Sequence, residues 1–364
     1  MARSVSYREL DWFLFVCVLL ICVLGVSEIY STTQSSPRFA GMHLRQVLWL
    51  GLGLAAMFLL ARLDYHILLD YAFWVYLAAL AGLVAVLLVG KEVFGARRWL
   101  EIGGINIQVS EVAKLAIIIT LARYLSEVRS ERLRFSDLVK VGLLAGAAMI
   151  LIAAQPDLGT ALTLIPILAT GIFLAGLKWK HMAALVLIAL LVLPGTWHLL
   201  RPYQRERLVT FLNPRQSPRH SGYQVLQSQI AVGSGGFWGK GMEKGSQNQL
   251  GFIPVRHAEF IMAAYAEEQG FAGVLLSLLL YLMLLLRLVY NAETAPDRAG
   301  TLIVAGVASL LLFHLLVNVG MVIGFMPVTG LPLPLMSYGG SATISTWMAL
   351  GLVMSVRMRR FVNL

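Results

Sequence analysis

The sequence has few charged residues, fewer acidic than basic residues, and almost no cysteine. Only 13% of its 364 residues are charged and 58% are hydrophobic, whereas soluble domains carry about 25% charged residues. So little charge cannot cover the surface of a soluble globule of this length, which excludes a soluble enzyme and a disordered chain. Its two cysteines, Cys17 and Cys22, are separated by about 7.5 Å of helical rise, too far for a disulfide. The composition indicates a polytopic membrane protein.

The excess of basic over acidic residues gives the chain a formal net charge of +10. In a soluble protein this charge would point to nucleic acid. In a membrane protein it points first to anionic lipid and to cytoplasmic loops. We therefore expect membrane lipid, and no nucleic acid, among the partners. An anionic substrate is the other explanation, so the position of the charge matters.

Ten apolar segments are long enough to cross a bilayer, which takes about 17–25 helical residues. They predict an all-α polytopic membrane protein with about ten transmembrane helices, folded as a single domain of residues 1–364. The basic residues of the short loops concentrate on the side of the termini, which predicts cytoplasmic N and C termini. The predicted spans are Trp12–Tyr30, Leu44–Ala61, Tyr71–Gly90, Ser110–Leu125, Leu138–Ala154, Leu158–Leu177, Met182–Leu200, Phe271–Tyr290, Ala299–Phe325 and Ala342–Val356.

One long polar segment, residues 201–260, separates the seventh and eighth predicted spans on the extracytoplasmic side. It is rich in basic residues, and long loops without structure of their own are uncommon unless they are functional. Its glycine-rich part, Gly233–Gly241, could cradle phosphate through backbone N–H groups. A plain tight turn is the simpler interpretation, because neither the P-loop form nor the dinucleotide-binding form is present. We expect the whole segment to fold back on the membrane face.

Ionisable residues at membrane depth are the first candidates for function. Glu111 and Lys114 are three positions apart on one predicted helix and share a face. Asp157 stands at a helix junction after Gln155-Pro156. One interpretation is a neutralised structural cluster that holds three helices together. The other is a polar cavity for a charged lipid headgroup or a proton path.

A second polar group, Arg256, His257 and Glu259, stands where the basic loop re-enters the membrane. The carboxylate could act as a general base and the neighbouring cations could bind a phosphate-bearing group. A solvated interface cluster is the alternative. Further along, three prolines and three glycines in residues 326–341 forbid a regular helix. Such backbone is tolerated at membrane depth only where it is buried or lines a cavity, so we expect a re-entrant outer loop there.

Several motifs, in this order and spacing, make the chain resemble the SEDS family (RodA, FtsW and SpoVE) along nearly its whole length. The resemblance implies a multi-pass protein of the bacterial inner membrane. The loop that begins Arg201-Pro-Tyr-Gln-Arg-Glu-Arg resembles the RodA branch more than the FtsW branch. The matching motifs are Gly95-Ala-Arg-Arg-Trp-Leu100, Gln108-Val-Ser-Glu111 with Lys114, Gln155-Pro-Asp-Leu-Gly-Thr160, Gly233-Ser-Gly-Gly236, Gln247-Asn-Gln249, Arg256-His257, Ala266-Glu-Glu268 and Pro332-Leu-Pro-Leu-Met-Ser-Tyr-Gly-Gly-Ser341.

The resemblance implies a peptidoglycan glycosyltransferase that polymerises lipid II on the outer face of the membrane during cell-wall elongation and cell-shape maintenance. It implies an inverting displacement of lipid pyrophosphate, with Glu259 as the base. A class B penicillin-binding protein, which is a transpeptidase, and other elongation-complex membrane proteins would be partners, and Mg²⁺ or Mn²⁺ a possible cofactor. The implied substrate-binding residues are Arg97, Arg98, Trp99, Arg205, Arg207, Lys240, Arg256, His257, Ser337 and Tyr338, with Trp238 as a further stacking candidate. Glu111, Lys114 and Asp157 would shape a central cavity.

One departure from the family pattern falls on the proposed base. The family's His-Thr-Asp-Phe motif reads His257-Ala-Glu-Phe260 here, so the carboxylate is kept but is one methylene longer. Three other functions stay open at this point: a flippase for the lipid-linked precursor, a division-type polymerase, and a non-catalytic scaffold for the transpeptidase. Broken helices and intramembrane charges also suit a transporter, although the two halves of the chain show no internal repeat.

Overall fold

A computed structural model of the chain describes residues 9–34, 39–93, 96–128, 133–192, 195, 202–212 and 221–360. Helices dominate these residues, and one small antiparallel sheet lies between the fourth and fifth helices. The helices are α1 (Trp12–Gln34), α2 (Met42–Arg62), α3 (Tyr65–Asp70), α4 (Ala72–Val89), α5 (Val109–Glu127), α6 (Phe135–Ala154), α7 (Leu158–Leu174), α8 (Trp179–Val192), α9 (Pro202–Leu212), α10 (Ser221–Ser234), α11 (Ser246–Gln249), α12 (Ile261–Glu293), α13 (Arg298–Val322) and α14 (Gly340–Met358). The strands are β1 (Lys91–Val93), β2 (Ala96–Ile102) and β3 (Ile105–Ile107).

Six of the described helices are long and apolar enough to cross a membrane: α1, α2, α4, α6, α12 and α13. This finding agrees with a multi-pass membrane protein. Each of the ten predicted spans also has a helix, but α5, α7, α8 and α14 do not meet the same criterion within the described residues. The last eight residues of the predicted span Met182–Leu200 lie outside the described residues except Gly195.

The prediction of an all-α fold was wrong for strands β1, β2 and β3, which form a three-stranded sheet in the order β1-β2-β3. Gly103 and Gly104 connect β2 to β3, and both have positive φ angles, 59° and 78°. Positive φ at both central residues of a two-residue turn is the type I′ geometry that matches the twist of a hairpin, and Gly-Gly favours it. The Gly-Gly pair is therefore a hairpin signal in the sequence, between strands too short to show a membrane-span pattern.

Residues 201–260 are largely helical where they are described, instead of forming one open loop. Helices α9, α10 and α11 lie in this segment, and residues 201 and 213–220 are outside the described part. α10 ends in the glycine-rich turn of residues 233–241, which runs beside α12 at Gly270. Gly270 has φ 66° and ψ −165°, so it breaks the helical path of α12. The predicted span Phe271–Tyr290 starts one residue after this break.

The glycine-rich turn provides hydrogen bonds that the broken helix lacks. The amide N–H groups of Phe271 and Ala272 donate to turn carbonyls, at 2.9 and 3.0 Å. In return, the carbonyls of Glu267 and Glu268 accept from the turn amides of residues 240 and 241, at 3.0 and 2.9 Å. An interrupted helix at membrane depth is tolerated when its freed backbone groups are paired in this way. These two turn amides are therefore occupied, which favours a structural turn over a phosphate cradle.

The connection between α13 and α14 is irregular and buried, as its prolines and glycines predict. Leu331, Leu333 and Met336 are at most 1% exposed. Met336 crosses α1 so closely that a Cβ on Gly25 would lie 2.6 Å from its Cα. Because the loop is enclosed by helices, its carbonyl groups can be bonded by side chains of the bundle.

At the opposite end of the bundle, His66 joins the start of α3 to the start of α13. Its Nδ1 lies 2.9 Å from Asp64 Oδ1 and its Nε2 lies 2.7 Å from Asp297 Oδ2. Burial lowers the pKa of His66, but the hydrogen bonds and charges of Asp297 and Asp64 outweigh it and raise the pKa overall. This clasp favours a protonated His66.

Candidate active site

Four segments that are distant in sequence meet at one end of the bundle and form the candidate site. The sheet contacts the α6–α7 turn, because the Arg98 guanidinium donates to the carbonyls of Gln155 and Pro156. The loop before α12 contacts the α13–α14 loop, because the amide of Tyr338 donates to the carbonyl of His257 at 2.9 Å. The first turn of α14, which follows the α13–α14 loop, contacts the residue after the sheet, because Ser341 Oγ accepts from the amide of Gln108 at 3.0 Å.

Glu259 lies between these segments, two residues before α12 begins. Its carboxylate faces Gly330, where a Cβ would come within 3.4 Å of Oε1. Gly330 has φ 81°, a left-handed conformation that glycine adopts without strain. Burial raises the pKa of Glu259; the positive charges of Arg207 and Arg98 lower it, and the negative charge of Asp157 adds to the increase. A raised pKa is what a carboxylate base needs near neutral pH.

Asp157 belongs to the surroundings of Glu259. It caps α7 by accepting from the amide of Thr160 at 3.3 Å, and it accepts from Gln108 Nε2 at 3.0 Å. Among the hydrogen bonds and ion pairs of the described residues, none joins Asp157 to Glu111 or Lys114. The predicted three-residue cluster is therefore split between two places, and the signal for Asp157 was its helix-capping position rather than its membrane depth.

Glu111 and Lys114, both on α5, form a buried ion pair of 2.9 Å. The pair faces the inner side of the α13–α14 loop. Ser345 Oγ donates to Glu111 Oε2 at 2.8 Å, and Lys114 Nζ lies 3.3 Å from His314 Nε2. These side chains line a cavity of about 20 Å³, room for about one water molecule. The space is too small for a lipid headgroup, so the described geometry favours the structural interpretation of this pair.

Two of the predicted cation contacts face other protein groups. Lys240 Nζ lies 2.6 Å from Glu267 Oε1 and also donates to Ser246 Oγ at 3.0 Å. Arg256 is 5% exposed, and its Nε donates to the carbonyl of Thr32 at 2.8 Å. Both therefore stabilise the packing of the 240–256 segment, and neither is placed beside Glu259 by these contacts.

The remaining predicted cations lie on the sheet and on α9. Arg98 and Arg207 are the two whose charges act on Glu259. Arg205 is half-buried on α9 beside Arg207. Arg97 is exposed and lies 3.6 Å from Glu92 across the β1–β2 pair. Of the predicted cations, Arg98 and Arg207 are thus the two whose charges lower the pKa of Glu259.

His257 and Ser337 connect loops. Burial lowers the pKa of His257 to about 4, with a contribution from Arg256, so the ring is neutral near pH 7. The ring packs against Phe39 and Tyr338, with centroid distances of 4.9 and 5.7 Å. Ser337 Oγ donates to the carbonyl of Ala258 at 2.6 Å and accepts from the amide of Leu333 at 2.8 Å. Both residues therefore hold the backbone on either side of the site.

The aromatic candidates differ in exposure. Trp99 on β2 and Tyr338 in the α13–α14 loop are half-buried near the site, whereas Trp238 is 79% exposed. Trp238 packs edge-on against Phe237, at 4.9 Å between ring centroids, in the glycine-rich turn. Trp99 and Tyr338 thus remain candidates for contact with sugar, and Trp238 lies on the outer surface of the turn.

Two residues of the site escaped the sequence analysis. Asn318 on α13 donates from Nδ2 to the carbonyls of Glu259 and Leu331, at 2.8 and 2.9 Å. His314, one helical turn away, lies 3.1 Å through Nδ1 from the carbonyl of Pro332. Both are polar residues on an otherwise apolar span, four positions apart and so on one face. That spacing was the signal that could have identified them.

Comparison with known proteins identifies the family. A family model described as "Cell cycle protein", covering FtsW, RodA and SpoVE, matches residues 9–361. The chain belongs to the FtsW/RodA/SpoVE family. The resemblance drawn from the motifs is thereby confirmed.

Three relatives are similar to this chain over almost their whole length. The peptidoglycan glycosyltransferase MrdB of Escherichia coli K12 is 36% identical over 354 residues, which are 97% of this chain and 94% of the relative. A solved chain of a peptidoglycan synthase complex that coordinates polymerization and crosslinking is 37% identical, with a TM-score of 0.85 and coverage of 97% and 98%. The rod-shape-determining protein RodA of Thermus thermophilus is 33% identical, with a TM-score of 0.74 and coverage of 98% and 99%.

Proposed function

We propose that this protein is a peptidoglycan glycosyltransferase of the elongation type, which polymerises lipid II into glycan strands. The names of its relatives support the activity and the branch. The observation that carries the proposal is the position of Glu259. It is a carboxylate with a raised pKa that feels the positive charges of Arg98 and Arg207, and it lies where four segments distant in sequence meet. Such a group suits proton removal from a sugar hydroxyl next to a leaving pyrophosphate.

In the proposed reaction, the acceptor hydroxyl attacks the anomeric carbon of the lipid-linked donor. Glu259 takes the hydroxyl proton while the new C–O bond forms. The bond between the anomeric carbon and the pyrophosphate oxygen breaks on the opposite side, so the configuration inverts. Arg98 and Arg207 stabilise the charge that develops on the departing lipid pyrophosphate by charge-assisted hydrogen bonds.

A divalent cation, Mg²⁺ or Mn²⁺, stays a prediction. Glu259 and Asp157 are the two carboxylates of the site that could bind one, since hard divalent cations prefer oxygen ligands. The part of the chain that the structure describes has no group of three or more His, Cys, Asp or Glu side chains placed to hold a metal ion. We therefore assign the charge of the leaving group to the arginines and include no metal in the reaction steps.

The proposal includes the orientation and a partner. Ten crossings with cytoplasmic termini would place the sheet, the α6–α7 turn, Glu259 and the α13–α14 loop together on the outer side of the inner membrane, where lipid II is presented. One solved relative is part of a complex that coordinates polymerization with crosslinking. This similarity supports a class B penicillin-binding protein as the partner that crosslinks the new strands.

The test is lipid II polymerisation by the purified full-length protein in detergent. Glu259→Gln and Glu259→Ala should lose polymer formation, because neither can accept the proton. Glu259→Asp should stay active, because the family motif carries Asp at this position. Glu127→Gln is the matched control, because it makes the same change on an exposed side chain. Glu127 is the last residue of α5, far from the site, and it pairs with Arg123.

Two results would contradict the proposal. Undiminished polymer from both Glu259 variants would reject the base assignment. No polymer from the unmodified protein, with or without the transpeptidase, would reject the enzyme and favour a flippase or a scaffold. Transport of a fluorescent lipid-linked precursor across vesicles would then separate those two alternatives.

A further inference from the structure

Asn318 is a buried side chain that ties the candidate base to the loop facing it. It is fully buried on α13, and its single Nδ2 atom donates to the carbonyls of Glu259 and Leu331, at 2.8 and 2.9 Å. One carbonyl belongs to the segment before α12 and the other to the α13–α14 loop. Without the amide, both carbonyls would lose this donor in a buried place, and a buried unpaired acceptor is costly.

His314 fixes the same loop from one helical turn away. Its Nε2 faces the Lys114 ammonium, which has only protons to offer, so Nε2 accepts. The ring proton therefore sits on Nδ1 and donates to the carbonyl of Pro332 at 3.1 Å. Lys114 is held in turn by Glu111 and, through it, by Ser345. A continuous buried chain of hydrogen bonds thus runs from the intramembrane ion pair to the 330–332 segment.

The 330–332 segment is the surface on which the Glu259 carboxylate lies. Gly330 is adjacent to both carboxylate oxygens, and the next two carbonyls are the ones bonded by Asn318 and His314. Asn318 also bonds the carbonyl of Glu259 itself. One face of α13 therefore determines the distance between the carboxylate and the loop behind it.

We infer that Asn318 and His314 are positioning residues for the reaction, which hold Glu259 and the 330–332 segment at a fixed separation. This inference rests on the proposed function of Glu259. It also gives the Glu111–Lys114 pair a role: the pair fixes the tautomer and orientation of His314 instead of contacting substrate. A base displaced by about 1 Å loses up to about 100-fold in rate, because proton transfer needs close alignment.

The experiment compares Asn318→Leu with Asn291→Leu in the purified full-length protein. Leucine has the same number of side-chain heavy atoms and the same branching as asparagine, and it lacks the hydrogen bonds. Asn291 is the matched control because it is equally buried on α12, where its Nδ2 donates to Asp11 Oδ2 at 2.9 Å, far from the site. We expect Asn318→Leu to lower kcat about 10–100-fold with KM for lipid II within about threefold, because substrate contacts remain. Asn291→Leu should keep kcat within about threefold of the parent.

Three outcomes would overturn the inference: an unchanged kcat in Asn318→Leu, equal losses in both variants at equal thermal stability, or a change confined to KM. If Asn318→Leu does not fold, His314→Phe, which keeps a planar ring without hydrogen bonds, takes its place under the same criteria. Glu259→Gln is measured in parallel. An active Glu259→Gln rejects the base assignment on which the inference rests, whereas an inactive Glu259→Gln beside a fully active Asn318→Leu rejects only the positioning role.

Discussion

Gly270 is a residue at which a single added carbon should be strongly damaging. Its φ of 66° and ψ of −165° lie in a region that only glycine occupies readily. A Cβ there would lie 2.7 Å from the carbonyl oxygen of Phe237 and closer still to the amide nitrogen of Gly239. Gly270→Ala therefore combines backbone strain with a clash against the glycine-rich turn.

The magnitude follows from these two effects. The dihedral strain costs about 1–3 kcal/mol and overpacking adds about 1–3 kcal/mol, so the free energy of unfolding should fall by about 2–6 kcal/mol. At about 2–4 °C per kcal/mol, the melting temperature should drop by roughly 4–24 °C. The assay is thermal unfolding of the purified protein in one detergent, followed by size-exclusion chromatography of the fraction that stays monodisperse.

Gly142→Ala supplies the control for this prediction. Gly142 lies inside α6, and a Cβ there would meet no heavy atom within 4 Å. Alanine is preferred over glycine in a helix by about 1 kcal/mol, so this variant should be as stable as the parent or more so. A Gly270→Ala protein that melts with the parent would refute the tight contact between the turn and the broken helix.

Three further predictions concern charged groups. Arg207→Leu should raise the pKa of Glu259, because the positive charge of Arg207 lowers it. The acid side of the pH–rate profile should therefore move to higher pH. An unmoved profile would show that Arg207 does not act on Glu259. The raised pKa of His66 implies stabilisation that is fully present below the ordinary histidine pKa of about 6.5 and lost as pH rises through the folded-state value. Melting curves of His66→Ala against pH should therefore lack that loss, and the same loss in the variant would contradict the clasp. Lys240→Met should lower the melting temperature, since it leaves the buried Glu267 without its cation. KM for lipid II should stay within about threefold of the parent value. A change in KM without a change in melting temperature would instead indicate that Lys240 contacts the substrate.

The composition of the sequence predicted the apolar helices. It did not predict the features that depend on hydrogen bonds between separate segments, namely the sheet and the break at Gly270. The predicted apolar segments coincide with helices where the structure describes them, and six of those helices are long and apolar enough to cross a membrane, because burial in lipid requires long apolar runs. The sheet was missed because strands of three to seven residues are shorter than the windows that detect spans. The break at Gly270 could not be read from one glycine, since it exists only where the turn of residues 233–241 supplies the missing hydrogen bonds.

The candidate site was predicted in part, for a similar reason. Glu259, Arg98 and Arg207 were named from motifs, and in the structure the charges of both arginines act on the Glu259 carboxyl. Asp157 was grouped with Glu111 and Lys114 because all three were predicted to lie at membrane depth. Asp157 instead follows Pro156, after the end of α6, and caps α7. In that position its carboxylate accepts a hydrogen bond from Gln108 and lies toward the site. Depth alone does not determine which neighbours a side chain meets.

The balance of charge around Glu259 explains how the same four groups can serve both halves of the proposed reaction. Glu259 and Asp157 carry two negative charges, and Arg98 and Arg207 carry two positive ones, so the unprotonated site is neutral overall. When Glu259 takes the acceptor proton, the site acquires one net positive charge. That change coincides with the appearance of negative charge on the departing pyrophosphate, so the attraction is stronger in the transition state than in the bound substrate. Only an interaction of that kind accelerates the chemical step.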